Sequence, residues 1–218
     1  MTFLLRYDDD AVLHLHDVDS RMTLAASFDG GSLGYRRRQH VGSELLVKAA
    51  GGLRASGRSV IDATAGLGGD ALLLATAGFH VTMIERSPVV AALLMNALDR
   101  AADSADPELR RTASCMQLYT GNAAQWLGRH RSDVVCLDPM FPPRRKSARV
   151  RKEMFLLGKL LAAEDQGEAL LEPALRAADN RVVVKRPRLA PCLAGMRPDW
   201  QLSGRSTRFD VYSVSSGQ

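Results

Sequence analysis

Apolar and polar positions alternate in two short stretches near the start of the chain, AVLHLH over residues 11–16 and MTLAASF over residues 22–28. A period of two predicts strands, and the turn residues Asp17, Asp19 and Ser20 between them predict a hairpin. Gly30, Gly31 and Gly34 then break the pattern, and Ser43 is placed to cap a helix over Glu44 to Ala50 that Gly51 and Gly52 would close. From Ser59 the pattern changes. Strands are expected at Val60 to Ala63, Val81 to Glu85, Cys115 to Thr120, Val134 to Leu137 and Arg181 to Pro187. Helices are expected from Asp70, over Pro88 to Leu98, around Trp126 and Leu127, over Lys152 to Ala162 and over Leu170 to Ala178. Trp200 to Leu202 and Arg208 to Val214 suit a closing antiparallel pair. Strands that are apolar throughout and alternate with helices predict an α/β fold whose parallel sheet is covered on both faces. Residues 1–52 are expected to form a small N-terminal α+β appendage and residues 53–218 the main domain.

The chemistry concentrates after the strand Val134 to Leu137, in Asp138-Pro139-Met140-Phe141. In open α/β sheets ligands sit beyond the carboxyl ends of the strands. A carboxylate, a proline-fixed carbonyl and an aromatic ring at that place suit an amine on a base ring. Its lone pair is delocalised into the ring, and two acceptors holding its N–H bonds turn that pair toward an electrophile. Asp138 and the Pro139 carbonyl are the expected acceptors, with Phe141 as a stacking surface. The plain alternative is a strand followed by a proline-rich turn.

The first main-domain strand leads into a glycine loop at Gly66, Gly68 and Gly69, and the next ends in Glu85, 19 residues after Gly66. Such a loop lets backbone approach a ligand, and an acid at that distance commonly binds ribose hydroxyls. The loop also fits the dinucleotide pattern, which keeps a nicotinamide-dependent oxidoreductase as a competing reading. Two acids favour S-adenosylmethionine: Asp62 stands where the amino group of its methionine moiety is expected, and Asp70 would repel a pyrophosphate while tolerating a sulfonium compound. Asn122, at the end of the third main-domain strand, suits either an adenine edge or an ordinary helix cap.

Composition narrows the setting. The chain has 218 residues, 46% of them hydrophobic, enough for one sizeable core. It has no apolar run of membrane-spanning length, and its start turns acidic within a few residues, so a cytoplasmic protein with no membrane association is expected. Cys115, Cys136 and Cys192 are scattered, and His14 and His16 lack a third ligand nearby, so neither disulfide nor metal is expected. The net charge of +5 is uneven. Residues 1–110 hold 11 Lys and Arg against 14 Asp and Glu, whereas residues 111–218 hold 18 against 10. The half that carries the Asp138 cluster is therefore the basic one. Arg144, Arg145 and Lys146, with Ser147 beside them, and Lys185 and Arg186 at the end of the fifth main-domain strand, are the expected contacts to a polyanion. The earlier basic run Arg36 to Arg38 reads as a solvated face, with nucleic-acid contact as the alternative. A non-catalytic RNA-binding module would explain the basic residues but not the loop or the cluster.

Several segments together resemble one family. VIDATAGLGGDA, VTMIERSPVVAALL, LDPMFPPRRKSA followed by VRKEM, LLEPAL, VVVKRP and RFDVY are similar to the RsmJ family of 16S rRNA guanine-N2 methyltransferases, over about residues 59–214. The resemblance implies a class I S-adenosylmethionine-dependent methyltransferase with a Rossmann-like sheet. It implies methylation of guanine 1516 in 16S rRNA or the small ribosomal subunit, and it leaves the oligomeric state open. Carried over by position, it implies cofactor contacts at Gly69, Asp70, Glu85, Arg86, Asn122, Ala123 and Asp138. Gly69 stands where that family often has arginine, and Met140 replaces the second proline of the familiar DPPY pattern.

Overall fold

The computed structural model describes residues 2–39, 41–139 and 167–214. The expected hairpin is present as β2 (Leu13–Asp17) and β3 (Met22–Leu24). Asp17 shapes its turn by accepting hydrogen bonds from the Asp19 backbone N–H and the Ser20 hydroxyl. A strand not expected from the sequence, β1 (Phe3–Tyr7), pairs antiparallel with β2 to complete a three-stranded sheet. Leu13 and Leu15 project from β2 into the protein, while His14 and His16 face outward and His14 bonds Asp8. Asn96 ties this sheet down: its side chain accepts from the Leu13 N–H at 2.9 Å and donates to the Ala11 carbonyl at 3.0 Å.

The glycine-rich segment is a helix rather than a break, α1 (Gly31–Arg38). Gly34 allows it, because a Cβ there would stand 2.4 Å from the Asp29 carbonyl oxygen. The basic run on α1 is solvated as expected at Arg36 and Arg38, which are exposed though paired, but not at Arg37. Arg36 makes a two-pronged contact with Glu44, and Arg38 donates to the Asp29 carbonyl. Arg37 is fully buried and reaches Asp106 at 2.5 Å. Asp106 also caps a further helix that the sequence reading missed, α5 (Pro107–Ser114), so one carboxylate serves a helix end and a buried guanidinium. The short helix α2 (Leu45–Ala50) ends at Gly51, whose φ of 127° suits glycine.

Seven strands form the main sheet: β4 (Ser59–Asp62), β5 (His80–Glu85), β6 (Met116–Thr120), β7 (Ser132–Leu137), β8 (Ala178–Pro187), β9 (Trp200–Ser203) and β10 (Thr207–Ser213). Their order is β6-β5-β4-β7-β8-β10-β9. Strands β4 to β8 run parallel, and β10 lies antiparallel between β8 and β9. Alternate residues of β4 and β7 feed two cores, one on each face. Val60, Val134 and Cys136 join the core that includes α2, α3 (Gly69–Thr76), α4 (Pro88–Ala102) and α5. Ile61, Val135 and Leu137 join the other, with α6 (Ala123–Leu127) and α7 (Leu171–Ala177). Burying each such Val, Ile or Leu is worth about 1.5–3 kcal/mol, which is why the apolar runs become the central strands. Leu13, Leu15, Leu24 and Phe28 join the first core, so the N-terminal residues and the main sheet share apolar packing. Among the described residues no helix is long and apolar enough to cross a membrane.

Candidate functional site

The order of the main sheet reverses beside β4: the chain leaves β4 for β5 and β6 on one side, and returns to β7 and β8 on the other. The crevice beyond the carboxyl ends of β4 and β7 is the place such a sheet offers a ligand. Leu46, Asp62, Asp70, Cys136, Leu137, Asp138, Val183 and Lys185 line a cleft there. Three carboxylates and one ammonium thus come from four elements. Asp62 ends β4, Asp70 lies in the first turn of α3, Asp138 follows β7, and Lys185 is near the end of β8.

Hydrogen bonds fix this group. The Asp138 backbone N–H donates to the Thr64 hydroxyl at 2.6 Å, and the Thr64 N–H donates to the Asp62 carboxylate at 3.1 Å. Lys185 Nζ stands 2.7 Å from Asp70 Oδ2 and 2.8 Å from Asp138 Oδ2. Burial pushes the Asp62 carboxyl up to about 7, with the Asp70 charge adding to it. Burial also raises Asp138, against the pull of the Lys185 ammonium. Burial works against the charge on Lys185, but Asp70 and Asp138 outweigh it and raise its pKa. Cys136 stays a neutral thiol, pushed well up by burial. Among the described residues no group of three or more His, Cys, Asp or Glu side chains is arranged to hold a metal ion.

The glycine loop lies beside this group. Gly66 and Gly68 have φ of 53° and 77°, and Gly68 caps the start of α3. Glu85 is buried, and its two oxygens accept from the backbone N–H groups of Gly66 (2.9 Å) and Ser87 (2.8 Å). Burial raises its pKa against those two bonds. The acid that ends β5 therefore braces the loop, and any ribose contact falls to its remaining lone pairs. Arg86 follows it, half-buried. Asn122 caps α6 by accepting from the Gln125 N–H at 3.1 Å, which is the capping role of the two expected, and Ala123 is the first residue of that helix. A Cβ on Gly121 would meet nothing within 4 Å among the described residues. Among the described residues, a Cβ on Gly69 would touch only Leu33, at 3.9 Å.

A left-handed φ at Gly68, and a Cβ that would fall 2.6 Å from Leu94 Cδ1, make this position intolerant. Gly68→Ala is expected to destabilise the fold by about 1–3 kcal/mol. Chemical denaturation against the wild type checks it, and an unchanged midpoint would contradict the strain.

The carboxyl side of the sheet brings together Asp62, Gly66, Gly68, Gly69, Asp70, Glu85, Arg86, Asn122, Ala123, Asp138 and the buried Pro139. Two expected RNA contacts are corrected. Arg186 is 2% exposed, and its guanidinium donates to the Pro191 carbonyl at 3.0 and 2.7 Å, so it holds the following loop and does not face a polyanion. Lys185 is committed to two carboxylates inside the cleft. Phe141, Arg144, Arg145, Lys146 and Ser147 lie outside the described residues. Sequence reasoning missed the Thr64 bridge, the Leu46 wall and the Lys185 ion pairs. The available signal was a lysine directly after Val182, Val183 and Val184, at the same strand ends as the acids.

The carboxylate-lined cleft fits a ligand with a sulfonium and an ammonium, and comparisons with known proteins agree. A family model described as "Putative SAM-dependent methyltransferase" matches residues 1–214. A protein of Thioalkalivibrio sulfidiphilus named ribosomal RNA small subunit methyltransferase J is 47% identical, over 89% of this chain and 77% of its own length. Its namesake from Nitrosococcus oceani is 45% identical, over 92% and 80%. The crystal structure of a SAM-dependent methyltransferase from Neisseria gonorrhoeae superposes with a TM-score of 0.74 at 38% identity, covering 95% of this chain and 81% of that one.

Proposed function

The chain belongs to the family of SAM-dependent methyltransferases, and on that premise we propose that it methylates the exocyclic N2 amine of a guanine in 16S rRNA. Guanine 1516 is the position taken from the family resemblance, and the cytoplasm is where the reaction would take place. The observation that carries this reading is Asp138. It stands at the switch point of the sheet with its backbone held by Thr64 and one carboxylate oxygen held by Lys185.

S-adenosylmethionine, when bound, supplies an electrophilic methyl group on a positively charged sulfur. Asp62 and Asp70 would hold its ammonium, and the Gly66 to Gly69 loop would let backbone approach it. Glu85 and Arg86 would meet the ribose side, and Asn122 and Ala123 the adenine edge. Asp138 and the Pro139 carbonyl would accept the two N–H bonds of the guanine amine and turn its lone pair toward the methyl carbon. When the amine takes the methyl group, the S–C bonding pair would stay on sulfur and the proton released from nitrogen would pass to Asp138 or to water. Positioning accounts for most of the acceleration, because the methyl carbon is already electrophilic. Phe141 would stack on the base, and Arg144, Arg145, Lys146 and Ser147 would meet phosphates.

Mass spectrometry of 16S rRNA from cells with and without the gene tests this. N2-methylguanosine at the target is expected to disappear without the gene and to return with it. Persistence of the mark in the deletion strain would overturn the assignment.

A further inference from the structure

Lys185 is the lone ammonium among the described residues lining the cleft, and its position is not that of a phosphate contact. Its Nζ spans Asp70 on α3 and Asp138 after β7, at 2.7 and 2.8 Å. The bond to Asp138 falls on Oδ2, and among the described residues Oδ1 has no hydrogen-bond partner. The backbone of the same residue is already pinned by Thr64. Backbone and one oxygen are fixed, which leaves the other oxygen to meet a substrate.

The charges around Asp138 show why a cation is needed. Asp70 on α3 disfavours a further negative charge on Asp138, and Asp138 in turn disfavours one on Asp62 of β4. Cys136, on the same strand, stays neutral, and Leu46 contributes only an apolar wall from α2. Arg36 reaches the field of Asp70 but is itself committed to Glu44. Lys185 is therefore the group that offsets the crowding of carboxylates at Asp138. A protonated Asp138 would turn an O–H toward the N–H bonds of an amine, donor against donor.

We propose that Lys185 is a positioning residue for methyl transfer: by holding Asp138 Oδ2 it keeps that carboxylate ionised and leaves Oδ1 to accept from the amine being methylated. This rests on the reading of Asp138 given above, and it replaces the phosphate contact expected for Lys185 from the sequence.

The test is a pH–rate profile with the full-length protein, S-adenosylmethionine and 16S rRNA. Wild type is compared with Lys185→Met, Lys185→Gln and Lys185→Arg. Loss of the ammonium is expected to move the acidic limb of kcat up by about one pH unit or more and to lower kcat at neutral pH about 10- to 100-fold. The KM for RNA should stay within about threefold, and Lys185→Arg should bring the limb back. An acidic limb that coincides with that of the wild type, or a defect confined to the KM for RNA, would overturn the proposal. Lys185→Gln keeps length and a donor and serves where Lys185→Met does not fold. If the wild type methylates no rRNA, the proposed substrate fails and Lys185 is judged by carboxyl 13C titration. The Asp138 signal, identified by its absence in Asp138→Asn, should titrate at higher pH in Lys185→Gln. An unmoved midpoint would overturn the role of the lysine.

Discussion

Asp138→Asn is expected to lower kcat for methyl transfer by about 100-fold, roughly 2.7 kcal/mol of barrier, while the affinity for S-adenosylhomocysteine changes by less than about tenfold. The substitution preserves volume and the backbone bond to Thr64 at 2.6 Å, so the strand end stays in place. The change lies in the hydrogen-bonding pattern. An asparagine beside the Lys185 ammonium, now 2.8 Å from Oδ2, turns its oxygen toward that cation and its NH2 toward the guanine amine. Two donors then face each other where the reaction needs an acceptor. Asp138→Ala removes the conflict along with the acceptor and is expected to cost about 100- to 1,000-fold, within the range seen when one polar group is removed from a transition-state site. Steady-state kinetics at saturating donor and calorimetry with S-adenosylhomocysteine separate the two quantities. A kcat within threefold of the wild type for Asp138→Asn would remove Asp138 from the chemistry. A loss confined to donor affinity would make it a cofactor contact alone.

The parts of this site legible in the sequence are those carried by local pattern. The run Val134 to Leu137 is short, apolar at consecutive positions and bounded by turn residues, which suits a strand covered on both faces and puts Asp138 at its end. The glycines before α3 and the acid ending β5 follow from the geometry of a strand-turn-helix unit in the same way. Features decided by partners far along the chain were not legible. Arg36, Arg37 and Arg38 have the composition of a solvated run, yet Arg37 is buried because Asp106 lies opposite. A sequence window does not contain both. Arg186 and Lys185 are adjacent and chemically alike, but alternation along β8 sends Lys185 into the cleft and Arg186 to the Pro191 carbonyl. The helix α1 was missed because Gly34 weakens helix propensity, and the reason for that glycine, the nearby Asp29 carbonyl, is visible only in three dimensions. Glu85 shows a further limit: the motif located the acid but not its task of bracing Gly66.

The buried Asp62 is expected to make both folding and the proposed cofactor binding depend on pH, in opposite directions. Burial, with the nearby Asp70 charge, pushes its carboxyl up to about 7 in the folded protein, against about 3.9 in an unfolded chain. The folded state therefore binds the proton more tightly. Stability from this group is present at low pH and is lost as pH rises from about 4 to about 7, then levels off. At about 1.36 kcal/mol per pKa unit, the full difference is at most about 4 kcal/mol. Asp62→Asn keeps an acceptor for the Thr64 N–H and removes the ionisation, so it is expected to be the more stable protein at pH 8, with the gap closing toward pH 4. Binding runs the other way. If the ionised Asp62 holds the ammonium of the donor, affinity should rise up to about tenfold per pH unit below 7 and then flatten. S-adenosylhomocysteine is the suitable probe, since it carries the same ammonium without the sulfonium charge. Calorimetry between pH 5 and pH 8.5 should show that slope in the wild type and little of it in Asp62→Asn. An affinity that stays level across the range in the wild type would mean that Asp62 binds no cation. The three carboxylates would then have to be explained by the lysine alone.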